Sequence, residues 1–199
     1  MPSISPVTIL NEALAFLGED LLLTFPEKTP QSDACEVHYS LVKVRELTKF
    51  PWNEAITRVK LTRLSATPAS EFAYAYAYPN DCLRILNMYP NCVEWKREGQ
   101  TIVAHESTLE ARYIRDIPEG EMSATLAAVI SARMAFMLAL KITERPEKLQ
   151  AAQIWYDSAL KDARFLDSQE SSVDQFENTN IITNRIGSTK YPYYRTVSH

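Results

Sequence analysis

The chain has 199 residues, 46% of them hydrophobic and 23% charged, with a formal net charge of −4 and a pI near 5.5. This is the balance of a globular protein of about one domain, and its acidity argues against tight DNA binding, which needs a basic surface to release counterions from phosphates. The acidity does not exclude a protein past which DNA moves without binding, because an acidic surface repels the phosphates of the duplex.

The three cysteines are widely spaced, form no CxxC pair and have no histidine nearby at ligand spacing. They therefore indicate neither a disulfide framework nor a zinc site. We expect Cys35, Cys82 and Cys92 to be reduced and mostly buried as small apolar side chains.

Residues 1–6 contain no basic stretch followed by an apolar run and a cleavage site, so we expect no secretory signal and synthesis in the cytoplasm. The long apolar stretch 124–142 contains Arg133 near its middle, with Ser131 two residues before it. A central arginine costs about 2.5–3.5 kcal/mol on membrane-insertion scales. We therefore expect a helix buried in protein and no membrane partner.

The first helix is predicted over residues 5–17, because Gly18 stands where a C-cap glycine belongs and the apolar residues before it recur at helical spacing. Those residues are Val7, Leu10, Leu14 and Leu17.

The second helix is predicted over residues 32–49, with Ser32 or Asp33 as its N-cap. It ends at Phe50, since the following proline disfavours helical geometry. The predicted apolar face consists of Ala34, Val37, Leu41, Val44 and Leu47. Residues 52–55 then predict a short helical turn. Residues 56–64 mix apolar and basic side chains without a regular period, so they predict neither a helix nor a strand.

A β-rich insertion is predicted over about residues 70–116. Aromatic residues and alanines alternate strictly over residues 72–78, which is typical of a strand, and Gly99 provides a turn between two of the later strands. The later strands are predicted at 82–88, 93–96, 101–104 and 110–114. We expect the five strands to form one small antiparallel sheet.

The aromatic face of the first of these strands, Tyr74, Tyr76 and Tyr78, allows two interpretations. Such a face stacks on single-stranded nucleic acid when a basic groove accompanies it. No companion groove is visible in the sequence. We therefore favour a face packed against the core or a neighbouring subunit.

Two further helices are predicted at about 121–143 and 146–167, the first apolar nearly all round and therefore central. The apolar face of the second consists of Leu149, Ala152, Tyr156, Leu160, Ala163 and Leu166. The predicted fold class is α+β and mainly α, a bundle of about four helices within residues 1–167 with the sheet as an insertion.

Residues 168–199 are rich in polar side chains, and both a disordered terminus and an extended arm fit this composition. Aromatic residues return at Tyr191, Tyr193 and Tyr194, followed by Arg195, and these residue types are enriched at interfaces. We interpret the segment as an extended C-terminal arm that orders on a partner.

Catalytic chemistry finds little support in the sequence. There is no G-x-S-x-G elbow and no Gly-rich phosphate loop, and His38, His105 and His199 do not cluster. Glu119 and Glu121 precede the apolar helix, where acidic residues meet the helix dipole favourably. We expect no catalytic residue, no cofactor and no metal site, and a protein that is not primarily an enzyme.

Four segments in order carry a resemblance to a known family: LNEALAFLGE at 10–19, FPWNEA at 50–55, YAYPNDCLR at 76–84 and ARYI at 111–114. Together they resemble the tail tubular protein A family, the head-to-tail adaptors, or connectors, of short-tailed bacteriophages (podoviruses). The most specific pieces contain Trp52, Asn53, Tyr78, Pro79 and Asp81, which the resemblance marks as structural residues of the motif.

The resemblance implies a structural protein of the virion, located at the head–tail junction. Its partners would be the portal protein above, the tail nozzle protein below, and other copies of itself in a ring, commonly a dodecamer. DNA would contact it only in transit, during viral genome ejection. The arm residues Tyr191, Tyr193, Tyr194 and Arg195 would then bind the portal. The alternative is a tail protein with a secondary polysaccharide or peptidoglycan hydrolase activity.

Overall fold

The structure, a computed structural model, describes residues 4–143 and 145–170. It contains four α-helices and two small antiparallel sheets, so the predicted fold class is confirmed. The helices are α1 Pro6–Leu17, α2 Pro30–Lys49, α3 Ala124–Thr143 and α4 Pro146–Gln169. The strands are β1 Ile56–Lys60, β2 Tyr74–Ala77, β3 Cys82–Tyr89, β4 Trp95–Glu98, β5 Thr101–Ala104 and β6 Glu110–Arg115. Two 3-10 turns, Asn53–Ala55 and Glu119–Glu121, lie at the ends of the β-rich part.

Helix α3 is the centre of the bundle, as its composition predicts, and it packs against α1, α2 and α4. Among the described residues it is the one helix long and apolar enough to cross a membrane, yet 56% of its most apolar window is buried inside the protein. Burial by three neighbouring helices accounts for an apolar surface on nearly every side of α3.

The two ends of α1 follow from its sequence. The Ser5 hydroxyl accepts a hydrogen bond from Thr8 N–H, which satisfies one of the free amides at the helix start. Gly18 has φ +80° and donates its N–H to Ala15 O, so the predicted C-cap is confirmed.

The start of α2 differs from the prediction. Thr29 is the N-cap, its hydroxyl accepting from Ser32 N–H, and Pro30 occupies the first helical position, where its fixed φ suits the helix. Ser32 and Asp33 were therefore the wrong choice of cap. The Ser32 hydroxyl instead accepts from Glu27 N–H in the preceding loop.

The buried face of α2 also differs from the prediction. Val37 and Leu41 are 61% and 55% exposed. The core face includes two residues with polar groups, Tyr39 and Glu46, whose hydrogen-bonding partners lie on other elements. Ala34 and Leu47 of the predicted face are buried, but a sequence pattern based on aliphatic residues wrongly adds Val37 and Leu41 to it. The buried residues are Ser32, Ala34, Cys35, Tyr39, Val42, Glu46 and Leu47.

The helix α4 runs to Gln169, two residues beyond its predicted end. Ala152, Tyr156 and Ala163 are buried as predicted, but Leu166 is 45% exposed because it faces away from the core. The remainder of the predicted arm, residues 171–199, lies outside the described residues.

The β-rich part has six strands in two sheets, where the sequence predicted five strands in one. The first sheet has the order β1-β6-β3 and the second the order β2-β5-β4. The additional strand is β1, from the stretch that had no assignment, and its partner β6 is more than 50 residues away. The insertion therefore begins at residue 56, not 70. Gly99, with φ +61°, forms the turn of the β4–β5 hairpin as predicted.

The two sheets enclose a second hydrophobic core. Tyr76 and Tyr78, 1% and 8% exposed, belong to it, so the packing interpretation of the aromatic strand is confirmed. Ile114 on β6 belongs instead to the bundle core and joins the two halves. Cys35 is buried and Cys82 half-buried, but Cys92 is exposed, contrary to prediction, because it lies at a loop position with φ +63°.

Candidate interaction surfaces

The motif residues Trp52 and Asn53 fasten the end of α2 to the end of α4. Trp52 is 2% exposed and donates its indole N–H to Glu46 O at 3.0 Å. Asn53 donates its backbone N–H to Asp167 Oδ1 at 2.8 Å and its amide to Asp167 O at 2.7 Å. The short turn that they form therefore locks the C-terminal turn of α4 against the point where the chain leaves the bundle.

The motif residues Tyr78, Pro79 and Asp81 hold the turn between β2 and β3. Pro79 O accepts from Cys82 N–H, and the Cys82 thiol donates to Tyr78 Oη at 3.1 Å. Burial raises the pKa of Tyr78 to about 12. Asp81 Oδ1 accepts from the Tyr113 hydroxyl at 2.9 Å, which ties this turn to β6.

A buried polar cluster joins α2, α3 and α4. The Glu46 side chain is 1% exposed and accepts from Lys49 Nζ at 2.6 Å and from the Tyr156 hydroxyl at 2.9 Å. Arg133 Nε lies 3.8 Å from the same carboxylate. Burial disfavours the charge of Lys49, but its hydrogen bonds to Glu46 and Tyr156 prevail and raise its pKa. The cluster explains how the apolar helix α3 accommodates an arginine.

A second polar cluster attaches α2 to the turn before α3. Glu119 accepts from the Tyr39 hydroxyl at 2.9 Å, and Lys43 Nζ lies 3.3 Å from Glu119 and 3.1 Å from Asp116. Burial opposes the charge of Glu119, yet its own backbone N–H, Tyr39 and Lys43 hold its pKa below the usual value.

The carboxylate at the start of α3 is Glu54, not the predicted Glu119 and Glu121. Glu54 accepts from Ser123 N–H at 2.8 Å and from the Ser123 hydroxyl at 3.2 Å. Burial raises the pKa of Glu54 despite these bonds, and the nearby Asp167 adds to the rise. Glu121 instead pairs with Arg115. The prediction failed because Glu54 is 69 residues distant in sequence.

The loop between α1 and α2 presents two exposed leucines on a rigid support. Leu21 and Leu23 are 56% and 91% exposed, whereas Leu22 between them is 4% exposed. The Asn11 amide accepts from Leu22 N–H at 2.8 Å and donates to Leu22 O at 2.9 Å. Glu27 accepts from the N–H of Leu23 at 3.1 Å. These two exposed leucines make the loop a candidate interaction surface.

Further apolar side chains are exposed on the helices. They include Val37 and Leu41 on α2, and Ile154 and Phe165 on α4. A cleft of about 240 Å³ lies between α3 and α4 and is lined mainly by small and aromatic side chains. The lining includes Ala128, Trp155, Ala159 and Asp162.

One face of the first sheet is basic. The strand register places Arg58 opposite Arg112, and Arg112 opposite Asn87, so the three side chains share a face. The next row on that face is Lys60, Glu110 and Tyr89, and the row on the other side ends in Arg84. Sequence reasoning missed this surface because its four cations lie on three strands separated by long connections. The alternation Arg58-x-Lys60 was the available signal.

The predicted portal-binding residues Tyr191, Tyr193, Tyr194 and Arg195 lie outside the described residues, as does His199. His105 is exposed beside the Phe72 ring, 4.9 Å between centroids, and His38 is half-buried on α2. Within residues 4–143 and 145–170, no group of three or more histidine, cysteine or acidic side chains is arranged to hold a metal ion.

No family model matches the chain, and no curated protein matches it significantly.

Proposed function

We propose that this chain is a structural subunit of a short-tailed bacteriophage particle, a head-to-tail adaptor that assembles as a ring between the portal and the tail nozzle. The observation that carries the proposal is the ordered set of motif residues that resembles the tail tubular protein A family. In this chain, Trp52 and Asn53 fasten one junction, and Tyr78, Pro79 and Asp81 fasten another. The first junction lies within the bundle and the second within the β-rich part, and residues that fix such junctions suit a part that transmits a defined geometry.

Exposed apolar surfaces on several sides of the chain also favour assembly. Leu21 and Leu23 lie on the α1–α2 loop, whereas Val37 and Leu41 lie on α2. A subunit of a ring needs two different surfaces, because a heterologous contact repeats from copy to copy until the ring closes. Many modest contacts of this kind add to a stable ring without any one being large.

The hydrolase alternative requires two carboxyl groups free to act on a sugar, one of them with a raised pKa. Within the part of the chain that the structure describes, the acidic side chains whose pKa is raised are Glu54 and Asp167. Each accepts a hydrogen bond from a backbone N–H, of Ser123 and Asn53 respectively, and so serves the fold. The contacts of both groups favour the assembly function over the hydrolase.

The proposal is tested by producing virus particles from a genome that lacks this gene. We expect DNA-filled or emptied heads without tails in negative-stain electron micrographs, and complementation with the wild-type chain should restore the tails. Normally tailed particles without the chain would contradict the adaptor function.

A further inference from the structure

The last residues of the chain carry a charge opposite to that of the remainder. Residues 178–199 contain Arg185, Lys190 and Arg195 and no acidic residue, so with neutral histidine their net charge is +3. Because the whole chain has a net charge of −4, residues 1–177 carry −7. The end of the chain is therefore attracted to acidic groups on the surface of the chain itself.

The cleft between α3 and α4 offers an aromatic ring beside an acidic group. Trp155 lines the cleft, and its ring stacks on Phe16 with 4.6 Å between the centroids, which fixes its orientation. Asp162 lines the same cleft and is exposed. The cleft of about 240 Å³ exceeds the volume of about 150 Å³ in which a protein cavity accommodates a benzene ring. An aromatic side chain therefore fits into it.

The charges around the cleft favour a cationic ligand. Among the described residues that line it, Asp162 is the one with an ionisable side chain, and its carboxylate forms no ion pair with another described residue. Lys161 and Arg164 are close in sequence, but side chains one or two residues apart on a helix point in different directions. The Arg164 guanidinium lies over the Phe50 ring, 5.2 Å from its centroid, at the end of α2.

The end of the chain can reach this cleft. Asp162 lies eight residues before Glu170, the last described residue, which corresponds to about 12 Å at the helical rise of about 1.5 Å per residue. The 21 residues from there to Tyr191 span up to about 70 Å when fully extended. A ligand tethered within reach of its site acts at an effective concentration on the order of millimolar, so even a weak contact is populated.

We propose that Tyr191, Tyr193, Tyr194 and Arg195 dock into the cleft between α3 and α4 of the same chain. A tyrosine ring packs against the ring of Trp155, as aromatic pairs do, and the arginine pairs with the nearby carboxylate of the cleft. These residue types match the aromatic and acidic lining better than a purely aliphatic segment would.

The inference rests on the proposed function, in which the same four residues bind the portal. A docked chain end is not available to the portal, so the apparent affinity for the portal falls in proportion to the fraction of undocked chains. Docking within the chain therefore restrains assembly until a portal displaces the chain end from the cleft.

Fluorine NMR of the full chain labelled with 5-fluorotryptophan tests the docking in the absence of the portal. The chain has three tryptophans, and a Trp155→Phe variant assigns the resonance of interest. In Tyr191→Ser/Tyr193→Ser/Tyr194→Ser, the Trp155 resonance should move to its undocked position while the other two resonances stay in place. A Trp155 resonance that is identical in the wild type and in this variant would overturn the inference.

The matched control is Ile181→Ser/Ile182→Ser/Ile186→Ser, which removes three apolar side chains from the same end of the chain. It should give the wild-type spectrum. An equal movement of the Trp155 resonance in the control would show that the tyrosines have no special role, and would also overturn the inference.

Exchange of the two charges tests the ion pair. Asp162→Arg and Arg195→Asp should each lower the equilibrium constant for docking about threefold, as expected for an exposed ion pair. The combined variant Asp162→Arg/Arg195→Asp should restore it. Two single variants without effect, or a combined variant without recovery, would contradict the proposed pairing.

The concentration of the protein distinguishes docking within one chain from docking between copies. The position of the Trp155 resonance should be the same at about 10 µM and about 200 µM, because a tethered ligand has a fixed effective concentration. A docked fraction that rises with concentration would overturn the inference, since the end of another copy would then occupy the cleft. Assembly on the portal is measured separately, so each proposal can fail alone.

Discussion

At the scale of single residues, Gly18 is the clearest case in which the sequence determines local structure. Its φ of +80° is a conformation that a side chain disfavours, and a Cβ at this position would meet no atom within 4 Å. Gly18→Ala should therefore destabilise the protein by about 1 kcal/mol through backbone strain alone. The measurement is the free energy of unfolding in urea.

Gly120→Ala is the matched control for this prediction. Gly120 also has open space around its Cβ position but no positive φ, so its replacement should leave stability unchanged or slightly higher. Equal effects at the two glycines would contradict the assignment of the cost to the backbone.

Glu46 makes the largest single contribution that we expect from a polar side chain. Glu46→Ala leaves Lys49, Tyr156 and Arg133 without their shared acceptor, although both cations reach solvent. We expect a loss of about 2–3 kcal/mol in the free energy of unfolding. Glu36→Ala, on the exposed side of the same helix, should change it by less than about 0.5 kcal/mol. A similar loss of stability in both variants would show that the polar cluster around Glu46 does not stabilise the fold.

The raised pKa of Glu54 predicts a pH dependence of stability. Because burial raises the folded-state pKa above the unfolded value, the folded protein binds the proton more tightly, and stability falls as pH rises from about 4.3 through the folded pKa. Between pH 5 and pH 7 the urea midpoint of the wild type should therefore shift further toward lower urea than that of Glu54→Gln. Glu36→Gln should behave like the wild type, and an unchanged pH dependence in Glu54→Gln would contradict the prediction.

At the scale of elements, the sequence predicts helices better than it predicts which face of a helix is buried. Gly18 and Phe50 mark the ends of α1 and α2 correctly, because caps are local chemistry. The predicted face of α2 was partly wrong, because the burial of Tyr39 and Glu46 depends on hydrogen bonds to Glu119 and Tyr156 on other elements. Strand β1 was missed for a similar reason, since its register depends on β6.

Asn53 tests the junction between the turn after α2 and the end of α4. Asn53→Ala removes the amide bond to Asp167 O while the backbone bond to Asp167 Oδ1 stays possible. We expect a loss of about 1 kcal/mol and faster hydrogen exchange in the last turn of α4. Gln169→Ala in the same turn is the control. Equal hydrogen-exchange rates in the two variants would show that the Asn53–Asp167 contact does not stabilise the end of α4.

At the scale of the whole molecule, the sequence predicts the α+β class and the order of its parts but not the division of the strands into two sheets. That division places the aromatic residues of β2 between the sheets and leaves one face of the first sheet basic. Neither feature is local, because each depends on pairs of strands that are distant in sequence. The candidate surfaces can therefore be identified from the folded structure but not from the sequence.

The exposed loop leucines predict a contact between copies or with the portal. Leu21→Ser/Leu23→Ser should fold with unchanged stability, because both side chains are exposed, and should assemble on the portal less completely. Ile154→Ser, which removes an exposed aliphatic side chain elsewhere, is the control. Sedimentation of the mixture with portal rings measures the effect, and full assembly of the loop variant would exclude the loop from the contact.

The central claim is that the chain works by assembly, and native mass spectrometry of the purified chain with its portal protein tests it most directly. We predict a discrete complex that carries many copies of the chain on each portal ring, with twelve as the number implied by the resemblance. A chain that stays monomeric and leaves the mass of the portal ring unchanged would contradict the account.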